Sequence, residues 1–368
     1  MRPRLEAPGH IWRRSSIQQG HGGEPMPLSF FAFLDQLTGD PALALIVLLT
    51  LAVLLVNGWT DAPNAIAGVV VTGALPFPLA VLLAAVCNFL GVLCVTAVST
   101  SVAETVYSIA SFGGGSRAAL TALCAAMAAI VLWAAAAWLL GIPTSESHAL
   151  IAGISGAAVA LEGGFSCIRW DSWAKVLLGL ILSTAAGFWA GQLFQSALKH
   201  VKASNHTFLL AQLPGAAGTA FLHGAQDGQK FLGVFLLGTA LAQGRGDEQT
   251  FLIPIWLMIL CAGFMAAGTL MGGRRIIETV GREMVSIGPR EGLSADLGNI
   301  FCLMTATLLG LPVSTTHTRT AALLGVGAAG GGVVDWSVAG KIALAWALTF
   351  PGCMAIGYWM AKVFLAVF

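Results

Sequence analysis

Two acids set inside membrane-grade apolar sequence restrict this chain more than any other feature. Leu43 to Val56 is almost entirely Leu, Ile, Val and Ala, and Val69–Val71 and Leu79–Leu93 continue the run. Between them stands Asn57-Gly58-Trp59-Thr60-Asp61-Ala62-Pro63-Asn64-Ala65. An ionisable Asp at a bilayer centre costs roughly 2.5 kcal/mol or more, so it must face a protein interior or a water-lined cavity. Gly58 and Pro63 flank it, and a helix broken there frees backbone groups. A broken helix with a carboxylate at membrane depth reads as a transporter binding site.

The pattern returns at His223-Gly224-Ala225-Gln226-Asp227-Gly228-Gln229-Lys230, where a second break is expected. Two further segments also match each other: Gly141-Ile142-Pro143-Thr144-Ser145-Glu146-Ser147-His148 and Gly310-Leu311-Pro312-Val313-Ser314-Thr315-Thr316-His317. His148 follows Asp61 by 87 residues and His317 follows Asp227 by 90. Two motifs recurring in one order at nearly one separation indicate an internal duplication.

Composition fits a multi-pass membrane protein. Only 10% of the 368 residues are charged, against about 25% in soluble domains. A net charge of +1 gives no sign of a nucleic-acid partner. The 45 glycines suit close helix packing in lipid. Seven cysteines without a C-x-x-C pair read as small buried apolar residues rather than a redox or zinc site.

In chain order, residues 1–41 form a polar extension expected to be disordered, ending in a short interfacial-type segment. The first repeat runs over 42–198, a linker over 199–207 and the second repeat over 208–368. Spans are expected near 42–57, 62–75, 79–99, 118–140, 173–197, 208–222, 231–243, 251–271, 297–311 and 341–367. Ala149–Leu161 and Ala321–Ala329 are too short to cross about 30 Å and read as halves of re-entrant hairpins. Gly272–Asp296 is read as a charged connector forming a helix at the surface or lining a vestibule, its Glu278, Arg282, Arg290 and Glu291 solvated or mutually paired. Basic residues there favour a cytoplasmic face, but Lys199, Lys202 and the N-terminal arginines compete, so orientation stays open.

The chemistry follows from residue type. Pro followed by Ser and Thr opens a helix well, because hydroxyls cap free amides. Helices starting at Thr144–Ser147 and at Ser314–Thr316 would aim amides and partial positive charge at an anion. Asp61 and Asp227 can hold H+ or Na+ beside it, or accept a hydrogen bond from a protonated oxyanion. Asn64 can ligate a cation through its carbonyl oxygen. At the matching position Lys230 supplies a fixed ammonium, which neutralises Asp227 or touches the anion. Glu146 is either a proton carrier or a paired structural carboxylate. His148 and His317, one per copy, make a poor metal site and are expected to hydrogen-bond within the hairpins. Arg319 either attracts anions or pairs with a carboxylate.

At these residues the sequence resembles the inorganic phosphate transporter (PiT) family, over roughly residues 45–365. The motifs above carry the match, together with Glu278-Thr-Val-Gly and Pro289-Arg-Glu-Gly. The resemblance implies an all-α polytopic membrane protein of two inverted repeats, with broken helices and re-entrant helical hairpins. It implies phosphate bound at the repeat interface by Thr144, Ser145, Ser147, Ser314, Thr315 and Thr316, with Lys230 joining them. Coupling falls on Asp61, Asn64, Asp227, Gln226 and Glu146. No metal is assigned, although Na+ fits Asp61, Asn64 and Asp227.

Thr60 and Gln226 stand where the family commonly has Asn, Lys230 replaces a second Asn, and Asp296 replaces Glu. These departures resemble the bacterial low-affinity branch, which is commonly proton-linked and carries metal–phosphate complexes. The expectation is a secondary transporter in the cell inner (plasma) membrane, importing phosphate with H+ in preference to Na+ by alternating access. It needs no cofactor beyond that cation. Its partners are phosphate and the bilayer, with a homodimer left open. A sulfate permease of the same fold is the alternative. An intramembrane hydrolase using Glu146 and His148 is disfavoured, because the second copy lacks the Glu.

Overall fold

A computed structural model describes residues 29–113, 116–140, 144–244, 253–271, 277, 287–331 and 333–368. Most of the polar extension, Gly141–Pro143, and Glu278 and Arg282 of the charged connector lie outside them. The described chain is helical. The isolated antiparallel bridge Ala110–Ile168 ties the loop after α5 to the loop before α8.

The helices are α1 (Phe30–Gly39), α2 (Pro41–Thr60), α3 (Ala62–Val71), α4 (Phe77–Val98), α5 (Ser101–Tyr107), α6 (Ser116–Leu140), α7 (Glu146–Glu162) and α8 (Trp170–Leu198). They continue with α9 (Asn205–Ala242), α10 (Ile255–Met271), α11 (Pro289–Leu308), α12 (Thr315–Val326) and α13 (Trp336–Val367). Among the described residues, five stretches are long and apolar enough to cross a membrane: Pro41–Val71, Phe77–Val98, Arg117–Leu140, Trp170–Leu198 and Trp336–Val367. Their outward faces carry exposed Leu, Ile, Val and Trp, such as Leu48, Leu82, Leu132, Ile181 and Trp359. In lipid such faces need no cover.

The first motif breaks its helix as its sequence requires. α2 ends at Thr60, Asp61 stands at the junction, and α3 begins at Ala62 with Pro63 in its first turn. Pro63 has no N–H to continue the ladder, so the helix parts there. The second motif does not break. α9 runs unbroken through Asp227 for 38 residues, because Gln229 stands where Pro63 stands and keeps its N–H.

The end of the charged connector is helical, but Arg290 and Glu291 find partners on other helices instead of solvent or each other. Residues 289–296 are the first turns of α11, opened by Pro289. Arg290 lies over the Phe208 ring at 4.9 Å, and Glu291 accepts from Gln195 at 3.2 Å.

Short α7 and α12 occupy corresponding places. They span about 26 and 18 Å at 1.5 Å per residue from their 17 and 12 residues. α6 and α7 pack on α13 of the other half, while α11 and α12 pack on α8.

Glycine sets the helix spacing at the motifs. A Cβ on Gly58 would lie 2.8 Å from the Thr269 amide nitrogen and 2.9 Å from Gly268 Cα on α10. Such close approach gives dispersion contact where lipid supplies no hydrophobic drive. Gly58→Val is expected to force α2 from α10 and destabilise the protein by about 1–3 kcal/mol. A thermal melt in detergent reads this, and an unchanged midpoint contradicts the packing account.

Candidate functional site

Ser145 caps α7 by accepting from the His148 amide at 3.3 Å, and Ser314 caps α12 from the His317 amide at 3.2 Å. Each cap leaves the first two amides of its helix without an intrahelical partner: Glu146 and Ser147 in α7, Thr315 and Thr316 in α12. The two helix starts meet, since the His148 and His317 rings lie 4.6 Å apart. Neither ring makes the hydrogen bond expected of it. All four ring nitrogens lack a partner among the described residues. His317 instead stacks on Trp346 at 3.6 Å, and His148 packs against Phe350 at 4.6 Å. Aromatic side chains from α13 pack on the ring faces, so both imidazoles are held by ring contacts rather than by hydrogen bonds.

Asp61 and Asp227 come together beside these tips. Ligand atoms of Asp61, His223 and Asp227 all lie within 4.8 Å of one another, and all three residues are buried. The contacts around them interleave the two halves. Thr316 of α12 donates to Asp61 at 3.0 Å, and Asn64 donates to Thr316 at 3.2 Å. Lys230 of α9 donates to Ser147 of α7 at 2.7 Å. Asn64–Thr316 and Lys230–Ser147 join positions that match in the two copies of the sequence motifs.

Asp227 is the most heavily bonded group. It receives Lys230 at 2.7 Å, Asn57 at 3.2 Å and Thr315 at 3.3 Å, and faces His223 Nε2 at 3.2 Å. Lys230 also donates to the Val313 carbonyl at 2.5 Å, which pins the strand-like approach to α12. A buried ammonium needs such partners to offset its lost hydration. Glu146 accepts from Thr60 through one oxygen, and its other oxygen has no hydrogen-bond partner among the described residues.

Two expected site residues stand apart from this cluster. Gln226 turns to Thr307 at 2.9 Å and to the Leu311 carbonyl at 3.3 Å, holding the segment before α12 rather than the acids. Thr144 is buried ahead of the α7 cap. Sequence reasoning gave no role to Asn57 and His223, though each sits four residues before a motif Asp. That spacing places them one turn away on the same helix face, so the signal was present.

His223 is held by a second contact, with its Nδ1 3.1 Å from Asn88 Oδ1. Asn88 in turn donates to Thr269 at 3.2 Å. If Nδ1 carries the proton, the lone pair of Nε2 faces the carboxylates.

A helical membrane protein with opposed helix tips, buried hydroxyls and carboxylates at one central point is a membrane transporter in class. The sequence profile of the phosphate transporter family matches residues 57–357, and the chain belongs to that family. It is 36% identical over 323 residues to a Bacillus subtilis protein named "Probable low-affinity inorganic phosphate transporter", covering 85% of this chain and 94% of that one. A Rhizobium meliloti protein of the same name is 36% identical, covering 88% of this chain and 96% of the other. A solved structure titled "The sodium-dependent phosphate transporter" has the same fold, with a TM-score of 0.79 at 20% identity. It covers 89% of this chain and 100% of its own. None of these is named for sulfate.

Proposed function

We propose that this chain imports inorganic phosphate across the cell inner membrane by symport with a cation, H+ in preference to Na+. One observation carries the reading: Asp61, Asp227 and Glu146 are buried around the helix tips, and among the described residues Lys230, paired with Asp227, is the one ammonium there. Adding an oxyanion to that cluster deepens a negative imbalance that a desolvated site cannot sustain. The anion therefore enters with compensating cations, and coupling follows from charge balance. Asp61 and Glu146 are the proton carriers in this reading, while Lys230 permanently fills the place of a second cation.

The same acceptors favour hydrogen phosphate over sulfate. Phosphate near neutral pH carries hydroxyl protons to donate to carboxylates, and sulfate carries none. In the structure Thr315, Thr316 and Lys230 hold the two Asp residues; on binding they would turn to phosphate oxygens, joined by Ser147 and the free amides of α7 and α12. The exchanged packing of α6–α7 and α11–α12 supports two inverted repeats, and rocking of one against the other gives alternating access.

Na+ is the second reading. The side-chain oxygens of Asn57 and Asn64 are buried without a hydrogen-bond donor among the described residues, and such oxygens suit a hard cation. Labelled phosphate uptake into proteoliposomes under separately imposed gradients decides. Uptake driven by an inward proton gradient, and not competed by sulfate, is expected. Uptake driven by sodium alone moves the assignment to those oxygens, and uptake indifferent to both gradients overturns symport.

A further inference from the structure

Away from the central site, one buried ion pair among the described residues remains unused by the transport reading. Arg319 of α12 lies 2.5 Å from Asp296 of α11, with both side chains 1% exposed. Arg319 Nε and Nη2 have no hydrogen-bond partner among the described residues. The guanidinium carries five donors, so most of its capacity is unspent.

Its position continues the site. Thr315, Thr316 and Arg319 share one face of α12, four and three residues apart, and Asp61, Asn64 and Gly68 share one face of α3. At one level of these facing stripes Thr316 meets Asp61 and Asn64. At the next, Gly68 faces Arg319: a Cβ there would lie 2.9 Å from Nη2. Gly215 of α9 similarly makes room for Asp296, where a Cβ would come within 3.0 Å of its Oδ2. Both glycines leave space that the charged pair occupies.

The duplication makes the pair one-sided. Leu150 stands two residues after His148 as Arg319 does after His317, and Met127 precedes His148 by 21 residues as Asp296 precedes His317. By the same registers Gly68 corresponds to Val234 and Gly215 to Leu49. Leu150, Met127 and Val234 belong to one buried apolar cluster, and Leu49 packs against it. Packing alone is therefore satisfied by aliphatic residues in this fold, and charge at these positions calls for another purpose.

We propose that Arg319 is a second, transient oxyanion subsite on one side of the central site, with Asp296 as the carboxylate it returns to when no anion is passing. The inference rests on the transport reading above. With inverted repeats, the ion pair and its apolar counterpart bar the path on opposite sides. An anion leaving the hydroxyls would be taken up by the guanidinium, which exchanges Asp296 for phosphate and so is never itself left unpaired.

Two double variants of the full chain test this, each removing both charges so that neither is stranded. R319Q/D296N keeps the shape, and R319L/D296M copies the first-half residues. Labelled inorganic phosphate is used for equilibrium binding in detergent and for proteoliposome uptake. The expected result is phosphate affinity within about twofold of the parent and uptake reduced about tenfold or more. Parental uptake by either monodisperse double variant overturns the subsite and leaves the pair as a packing device. Failure of both to yield monodisperse protein also overturns it, because the pair is then a folding requirement. Failure of the parent chain itself to bind or take up phosphate strikes the transport reading instead.

Discussion

Lys230→Asn is expected to lower proton-driven phosphate uptake by about tenfold or more and to make the remainder depend on sodium. Stranding one member of a buried pair costs about 3–5 kcal/mol, and Asp227 loses its 2.7 Å ammonium partner in this variant. Asn restores the residue type that Asn64 supplies in the first copy, so a cation can occupy the vacated place between Asp227 and Ser147. Sodium should then recover uptake. Lys230→Met, which removes the charge and offers no ligand oxygen, should lose uptake and gain no sodium response. Uptake and ion dependence that are unchanged in Lys230→Asn contradict the role given to this residue.

Asp61→Asn is the second large effect. The amide keeps the shape and still accepts from Thr316, but it carries no exchangeable carboxyl proton. Concentrative uptake under a proton gradient should fall by about a hundredfold, a loss of roughly 2.7 kcal/mol at 1.36 kcal/mol per factor of ten. Exchange of internal for external phosphate, which needs no net proton movement, should be far less affected. Equal loss of exchange and uptake would show that Asp61 binds the anion rather than the coupling proton.

Much of this site is legible in the sequence because its chemistry is forced. Asp61 and Asp227 are too costly in lipid to stand without purpose, and Ser145 and Ser314 announce helix starts through capping preference. Their convergence is seen in the contacts of Thr316 with Asp61 and of Lys230 with Ser147. Other features depend on single residues whose effect is context. Pro63 breaks α2 from α3, whereas Gln229 lets α9 run on, and a motif comparison that weighs only Gly and Asp misses the difference. The first turns of α11 look too charged for a protein interior until Arg319, Gln195 and Phe208 are known to meet Asp296, Glu291 and Arg290. These are long-range pairings that local periodicity does not encode. His148 and His317 likewise read as polar hairpin residues, but α13 brings Phe350 and Trp346 onto their rings.

The central claim is that both halves of the duplication serve one anion. A cryo-EM structure of the full chain in nanodiscs with saturating phosphate tests it most directly. Tetrahedral density is expected between the tips of α7 and α12, in hydrogen-bond contact with Thr316, Ser147 and Lys230. Density bound by one hairpin alone, or lying away from Asp61 and Asp227, would contradict it.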